Sequence, residues 1–335
     1  MKQYLTFLLC VVTSFNLEAN DATSSNAVLS SAEASEVMKL YAARPLQEWK
    51  SSYGDITKEP NYKQLEYAVA LLSNTVGTIG PKVQDPKMRY SANSLNCTSC
   101  HLNGESNLPG TKKFAAPFTN VMNDYPKFEA RSMKVESIAE RVNGCMTRSQ
   151  GNGKPLPLES KEMKSLIAYF KFLAKGTQPH SAMKGTGLQK VAFPDRKASV
   201  KEGKDLYSIY CMECHQKDAV GLRSATYTKD ASYNFTPLAG NDSFNNGAGM
   251  SHLKTATRFI YTNMPLGASE SDKPMLSVEQ AYDVAAYVLS LERPNKPGRE
   301  YDFPNPNFRP DDYPVPAYFP DDEVALEQAK YGPFQ

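Results

Sequence analysis

Histidine is scarce in this chain, four in 335 residues, beside six cysteines and a single tryptophan. Neither sign of charge prevails: 38 Lys and Arg against 36 Asp and Glu leave +2. No whole-molecule field therefore draws nucleic acid, and any preference for anions must come from a local cluster. No apolar run approaches the ~18 residues of a spanning helix, so no membrane span is expected. What is present is 41% hydrophobic residues, enough for cores in about two domains of ordinary size. The 23 prolines point to long irregular connections.

The N-terminus reads as a secretory signal. Lys2 supplies the positive start, Tyr4 to Phe15 a short apolar stretch, and Leu17-Glu18-Ala19 a small-residue cleavage site. Cys10 follows Leu9 rather than a small residue, which argues against a lipid anchor. With residues 1–19 removed as a signal peptide, the chain is expected to be exported to the periplasm. It then keeps Cys97, Cys100, Cys145, Cys211 and Cys214, and an odd count argues against a simple disulfide framework.

The two halves repeat a motif. Cys97-Thr98-Ser99-Cys100-His101 opens one unit and Cys211-Met212-Glu213-Cys214-His215 the other. In a CxxCH, two thiols add to the two vinyl groups of a haem and the adjacent His supplies an axial nitrogen. A zinc or redox pair is the bland alternative. By composition a single chance CxxCH is expected on the order of one time in a thousand, so two behind an export signal imply two covalently bound haem c groups.

Each motif is followed by a long irregular loop and then an amphipathic helix. One helix is predicted from Ser160, with Met163, Leu166, Ile167, Phe170 and Leu173 on one face, to a stop at Gly176. The other has Ser277 and Gln280 as a capping box, a stripe of Tyr282, Ala285, Val288 and Leu289, and Pro294 beyond its end. A further helix is predicted over Tyr62 to Asn74. These stripes are read as core. The expected fold is mainly α, two consecutive cytochrome c-like domains at 20–175 and 196–294, joined by a linker at 176–195. A Pro-rich extension follows at 295–335, and its aromatics (Tyr301, Phe303, Phe308, Tyr313, Tyr318, Phe319) predict that it wraps over the domains in extended form.

The sixth ligands decide what each haem does. Met264, in Asn263-Met264-Pro265-Leu266-Gly267, is the candidate for the second, with His252, Lys254 and Met250 as rivals. In the first unit Cys145 lies 44 residues after His101, close to the 49 that separate Met264 from His215. The unpaired cysteine thus holds the sixth-ligand place of the repeat, with Met146 and Met122 as alternatives. A thiolate ligand lowers a haem's potential and a methionine raises it, giving a downhill step from first to second. The segment Glu140 to Lys154 packs cations and donors around Cys145, with Arg131 upstream and Lys171 downstream. Such runs are usually solvated surface, but beside a haem sulfur they would suit a small dianion.

RVNGCMTRSQ, then NGKPLPLES and an amphipathic helix, between the first CTSCH and the later CMECH and NMPLG, resembles the dihaem thiosulfate dehydrogenases, or bifunctional tetrathionate reductases, over about residues 35–295. The resemblance implies that two thiosulfates give tetrathionate plus two electrons, reversibly, with the electrons passing to a small c-type cytochrome. It implies that Cys145 is axial ligand of the catalytic haem and can bond transiently to a substrate sulfur. Arg131, Arg141, Ser149, Gln150 and Lys171 would line the substrate pocket, and Met264 would ligate the electron-exit haem. The chain departs from the pattern at Gly151, an insertion, at Asn263, where some members have Lys, and in the tail. Rival readings are a dihaem carrier without a substrate, a dihaem peroxidase, and conjugation of thiosulfate to a partner's cysteine.

Overall fold

The computed structural model describes residues 27–224 and 233–334; the signal segment lies outside them. Ser30 and Glu33 cap each other and start helix α1 (Ser31–Ala42). Helix α2 (Tyr62–Ser73) buries Leu65, Ala68, Leu71 and Leu72, and short α3 (Thr75–Ile79) follows at once. After the first CxxCH come short α4 (Val121–Asp124), α5 (Ile138–Arg148) and α6 (Lys161–Leu173). The core of this half is α2 on α6, with Met163, Tyr169, Leu173 and Leu156 fully buried. Tyr169 keeps its hydroxyl satisfied there by donating to the Pro109 carbonyl at 2.8 Å.

The second half packs α7 (Val200–Tyr210), the one-turn α8 (Met212–His215), α9 (Leu253–Asn263) and α10 (Val278–Ser290) around Tyr207, Tyr282, Val284 and Ala285. Gly203 is required where α7 crosses α10: a Cβ there would stand 1.9 Å from the Asp283 carbonyl oxygen. Among the described residues the strands form three two-stranded pairs, two of them antiparallel, including Lys127–Glu129 with Lys134–Glu136.

The predicted helices at 62–74, 160–176 and 277–290 are present, with Ser160 and Ser277 as N-caps. The two loops read as irregular are corrected: each contains a helix, α5 and α9. The α5 start carries a complete Ser137–Glu140 capping box. Its interior Gly144 and neighbouring β-branched and polar residues weaken propensity, and tertiary contact outweighs that. The segment at 176–195 is an ordered clamp on the first half. Ala182–Met183 pairs in parallel with Leu46–Gln47, and the Gly185 and Gly187 carbonyls accept from the Phe114 and Ala116 amides.

The Pro-rich extension runs as extended chain broken by single 3-10 turns and ends in α11 (Glu323–Tyr331). Phe308 meets Phe128 edge-on, Phe303, Tyr313 and Val315 form a small core, and Tyr282 donates to the Tyr331 carbonyl. The strap therefore touches both halves.

Candidate haem and substrate site

Cys97-Thr98-Ser99 forms a single 3-10 turn, which brings Cys97, Cys100 and His101 to one wall of a cavity. Thr75, at the start of α3, holds Cys97 by accepting from its amide at 3.0 Å and donating to its sulfur at 3.4 Å. The cavity holds about 790 Å³ of empty space, part of it open to solvent. Apolar side chains dominate it: Leu71, Leu72, Ile79, Phe118, Leu166 and Phe170. Burial pushes the Cys97 and Cys100 thiols up to about 11 and about 12. His101 stacks on Phe118 and binds the Ala116 carbonyl through Nδ1 at 2.6 Å. With Nδ1–H donating there, the Nε2 lone pair is the one left for a metal. Apolar walls, paired thiols and an oriented imidazole fit a covalently bound haem.

The opposite wall comes from α5. Val142, Cys145, Met146 and Ser149 recur at helical spacing and line the cavity, followed by Gln150. Cys145 is shared with a second stripe, Arg141, Cys145 and Arg148, along the adjacent face. Arg141 Nη1 stands 3.4 Å from Cys145 Sγ. Burial raises the Cys145 thiol, but Arg141 and the facing His101 outweigh it and hold it at about 7. The charge of Cys145 in turn raises Arg141.

The structure thus brings together Cys145, Arg141, Ser149 and Gln150. Ser149 caps α5 and Gln150 is buried, its amide oxygen accepting from Ser91 at 2.7 Å. Arg131 lies near enough to Arg148 and Arg141 that burial first, and their charges next, lower its pKa. Lys171 stands on the exposed face of α6, whose Leu166 and Phe170 face the cavity. Of the alternative ligands for the first haem, Met146 lines the cavity and Met122 packs at the edge of the core.

In the second motif α8 carries Met212 to His215, and His215 Nδ1 meets the Thr236 carbonyl at 2.8 Å, repeating the His101 arrangement. Burial lowers the His215 pKa and raises the Cys211 thiol to about 12. The oriented imidazole and paired thiols again fit a haem. Met264 is the C-cap of α9, half-buried against Leu102, Ala115 and Phe259. Two of its rivals are engaged by the extension: His252 by Asp312, and Lys254 by Asp311. The third, Met250, lines the first cavity together with Phe244, so the second half helps to close the first site.

Arg148, within the cationic segment read around Cys145 but given no role of its own, is joined by three residues that the motifs do not contain, Gly247, Asp302 and Asp312, which bind Arg148, Arg131 and His252. Helical spacing from Cys145 could have singled out Arg148. The other three reach the site only through tertiary contacts.

Two CxxCH motifs in two helical domains define a dihaem c-type cytochrome, and comparison with known proteins says which kind. Residues 87–178 match the SoxA/TsdA cytochrome c domain and 198–288 the cbb3-type cytochrome c oxidase subunit III model. A thiosulfate dehydrogenase of Allochromatium vinosum is 36% identical over 61% of this chain and 72% of its own. One of Psychrobacter arcticus is 37% identical over 64% of this chain. The chain belongs to the thiosulfate dehydrogenase family. It spans 61% of the Psychrobacter protein's length. The structure of thiosulfate dehydrogenase (TsdBA) from Marichromatium purpuratum matches with a TM-score of 0.62 at 28% identity, covering 81% of this chain and 53% of that one. Among the described residues no helix is long and apolar enough to cross a membrane.

Proposed function

We propose that the chain is a periplasmic dihaem oxidoreductase interconverting thiosulfate and tetrathionate. Two thiosulfates join through their outer sulfurs in one new S–S bond and two electrons leave; the reverse reaction cleaves that bond. Two covalently held haems c would supply the electron acceptance, the first held by Cys97, Cys100, His101 and Cys145 and the second by Cys211, Cys214, His215 and Met264, from which a small c-type cytochrome takes the electrons.

The chain's own residues handle charge. Two dianions about 5 Å apart repel by on the order of 10 kcal/mol at an effective dielectric of ~20. Arg141, Arg148 and Arg131 offset that repulsion, and arginine forks suit the oxyanion ends. Arg141 also favours the thiolate form of Cys145. Ser149 and Gln150 close the same wall. The reading is carried by the 3.4 Å Arg141–Cys145 contact, which puts a cation on the only thiol outside the two CxxCH pairs among the described residues.

The test is a visible spectrum of the oxidised protein before and after anaerobic thiosulfate, for the parent and Cys145→Ala. Reduction of the parent alone, with tetrathionate formed, supports the reading. If thiosulfate reduces neither protein and tetrathionate does not reoxidise the reduced parent, the reading fails and a dihaem carrier takes its place.

A further inference from the structure

We propose that the C-terminal extension supplies a positioning residue for the oxyanion site: Asp302, which orients Arg148, one helical turn along α5 from Cys145, and Arg131 next to it. The proposal rests on the thiosulfate reading above.

The Asp302 carboxylate takes both arms of the Arg148 fork, Oδ2 from Nη1 at 2.9 Å and Oδ1 from Nη2 at 2.7 Å. The same carboxylate lies 3.8 Å from Arg131 Nε. It is itself held: the Tyr313 hydroxyl donates to Oδ2 at 2.5 Å, and the Tyr318 hydroxyl donates to the Asp302 carbonyl. The next residue, Phe303, donates its amide to the Arg131 carbonyl at 2.9 Å, so the strap is registered on the backbone of the arginine it positions.

The other sides of the pair are closed too. The Gly247 carbonyl accepts from Arg131 Nη1 at 3.3 Å and from Arg148 Nη1 at 3.1 Å. A Cβ at Gly247 would stand 2.8 Å from Arg148 Nη1, so the backbone approach needs glycine. Arg131 Nη2 meets His252 Nε2 at 3.4 Å, while His252 Nδ1 faces Asp312 at 3.1 Å. The network assigns the tautomer in which Nδ1–H donates to Asp312 and Nε2 accepts from Arg131. Phe303 and Tyr313 cover the Arg131 guanidinium at 5.6 and 5.9 Å.

A guanidinium has five N–H groups in a fixed fork. These contacts use three N–H groups of Arg148 and two of Arg131, whose Nε faces Asp302 as a 3.8 Å ion pair, and the N–H groups that remain on both are the ones left for an oxyanion. Three guanidiniums close together repel, and one carboxylate shared by two of them lets the group stay assembled while keeping net positive charge. Asp302 therefore acts through the arginines and is expected to govern how thiosulfate is bound rather than what happens to its electrons.

The experiment is steady-state oxidation of thiosulfate by the full-length dihaem protein, parent against Asp302→Asn, with visible spectra to establish that both haems are attached and unchanged. The expected result is a KM for thiosulfate raised fivefold or more with kcat within twofold. Tyr313→Phe, which removes only the hydroxyl that holds the carboxylate, is expected to raise KM two- to threefold and serves if Asp302→Asn does not fold. A lowered melting temperature with parental KM in both variants is what a purely structural strap gives, and overturns the proposal. An equal loss of kcat and kcat/KM overturns it as well. A parent that thiosulfate does not reduce overturns the reading beneath it, whereas a parent that turns over beside variants of unchanged KM overturns this proposal alone.

Discussion

The ion pair between Arg148 and Asp302 links residues 154 positions apart, and its removal has a calculable consequence. Their side chains are 16% and 10% exposed, and the pair is bidentate at 2.7 and 2.9 Å. Arg148→Met keeps the aliphatic stem but leaves the Asp302 carboxylate buried with only Tyr313 and the more distant Arg131. Breaking one partner of a buried pair costs about 3–5 kcal/mol. In a chain of this size each kcal/mol moves the melting point by about 2–4 °C, so Arg148→Met should melt at least ~6 °C below the parent by circular dichroism at 222 nm. Asp302→Asn should lose a similar amount. In the double variant the two losses should not add: a coupling of about 2 kcal/mol or more is expected, because neither charge is then left unpaired. Single-variant shifts under 2 °C, or losses that add to within about 0.5 kcal/mol, would refute the view that this pair pins the extension.

Other outcomes follow from particular contacts. Arg141→Gln removes the cation 3.4 Å from Cys145, and a charge-assisted contact worth about 2–3 kcal/mol implies a roughly 30- to 150-fold fall in kcat/KM for thiosulfate. Gly247→Ala forces a methyl to within 2.8 Å of Arg148 and of Lys296, which should cost about 1–3 kcal/mol in denaturant unfolding. Leu173→Ala, at a fully buried site between α2 and α6, should cost about 2–5 kcal/mol by the same measurement. Lys171→Gln, on the exposed face of α6, should change KM for thiosulfate less than twofold; a tenfold rise would return that residue to the pocket.

Much of the fold was legible because its signals are local. Capping boxes at Ser277 and, unnoticed, at Ser137 mark helix starts within four residues, and the α6 stripe of Met163, Leu166, Phe170 and Leu173 is core as its spacing predicts. Helices α5 and α9 were missed because Gly144 and scattered Thr and Asn weaken intrinsic propensity, and packing within each half, α5 on α6 and α9 on α10, outweighs that. Ser149 and Gln150 could be placed beside Cys145 because they follow directly at the end of the helix that carries it. Lys171 was placed by resemblance across the Gly151 insertion, and the periodicity of α6 turns it outward. At Gly151 the chain leaves α5 with φ +64, a conformation that suits glycine.

The chemistry-bearing pattern is legible in the primary structure alone: two thiol pairs with adjacent histidines, an unpaired cysteine in register with the second unit's methionine, and arginines one helical turn either side of it. These are covalent or near-neighbour relations, and no folding is needed to read them. The surroundings of that pattern come from long-range contacts. Asp302, Gly247, His252 and Asp312 stand about 100 or more residues from the helix that carries Cys145, and no periodicity links them to it. Gly247 and His252 meet the arginines from the second domain, Asp302 meets them because the proline-rich tail buries its aromatics across both domains, and Asp312 joins the network through His252.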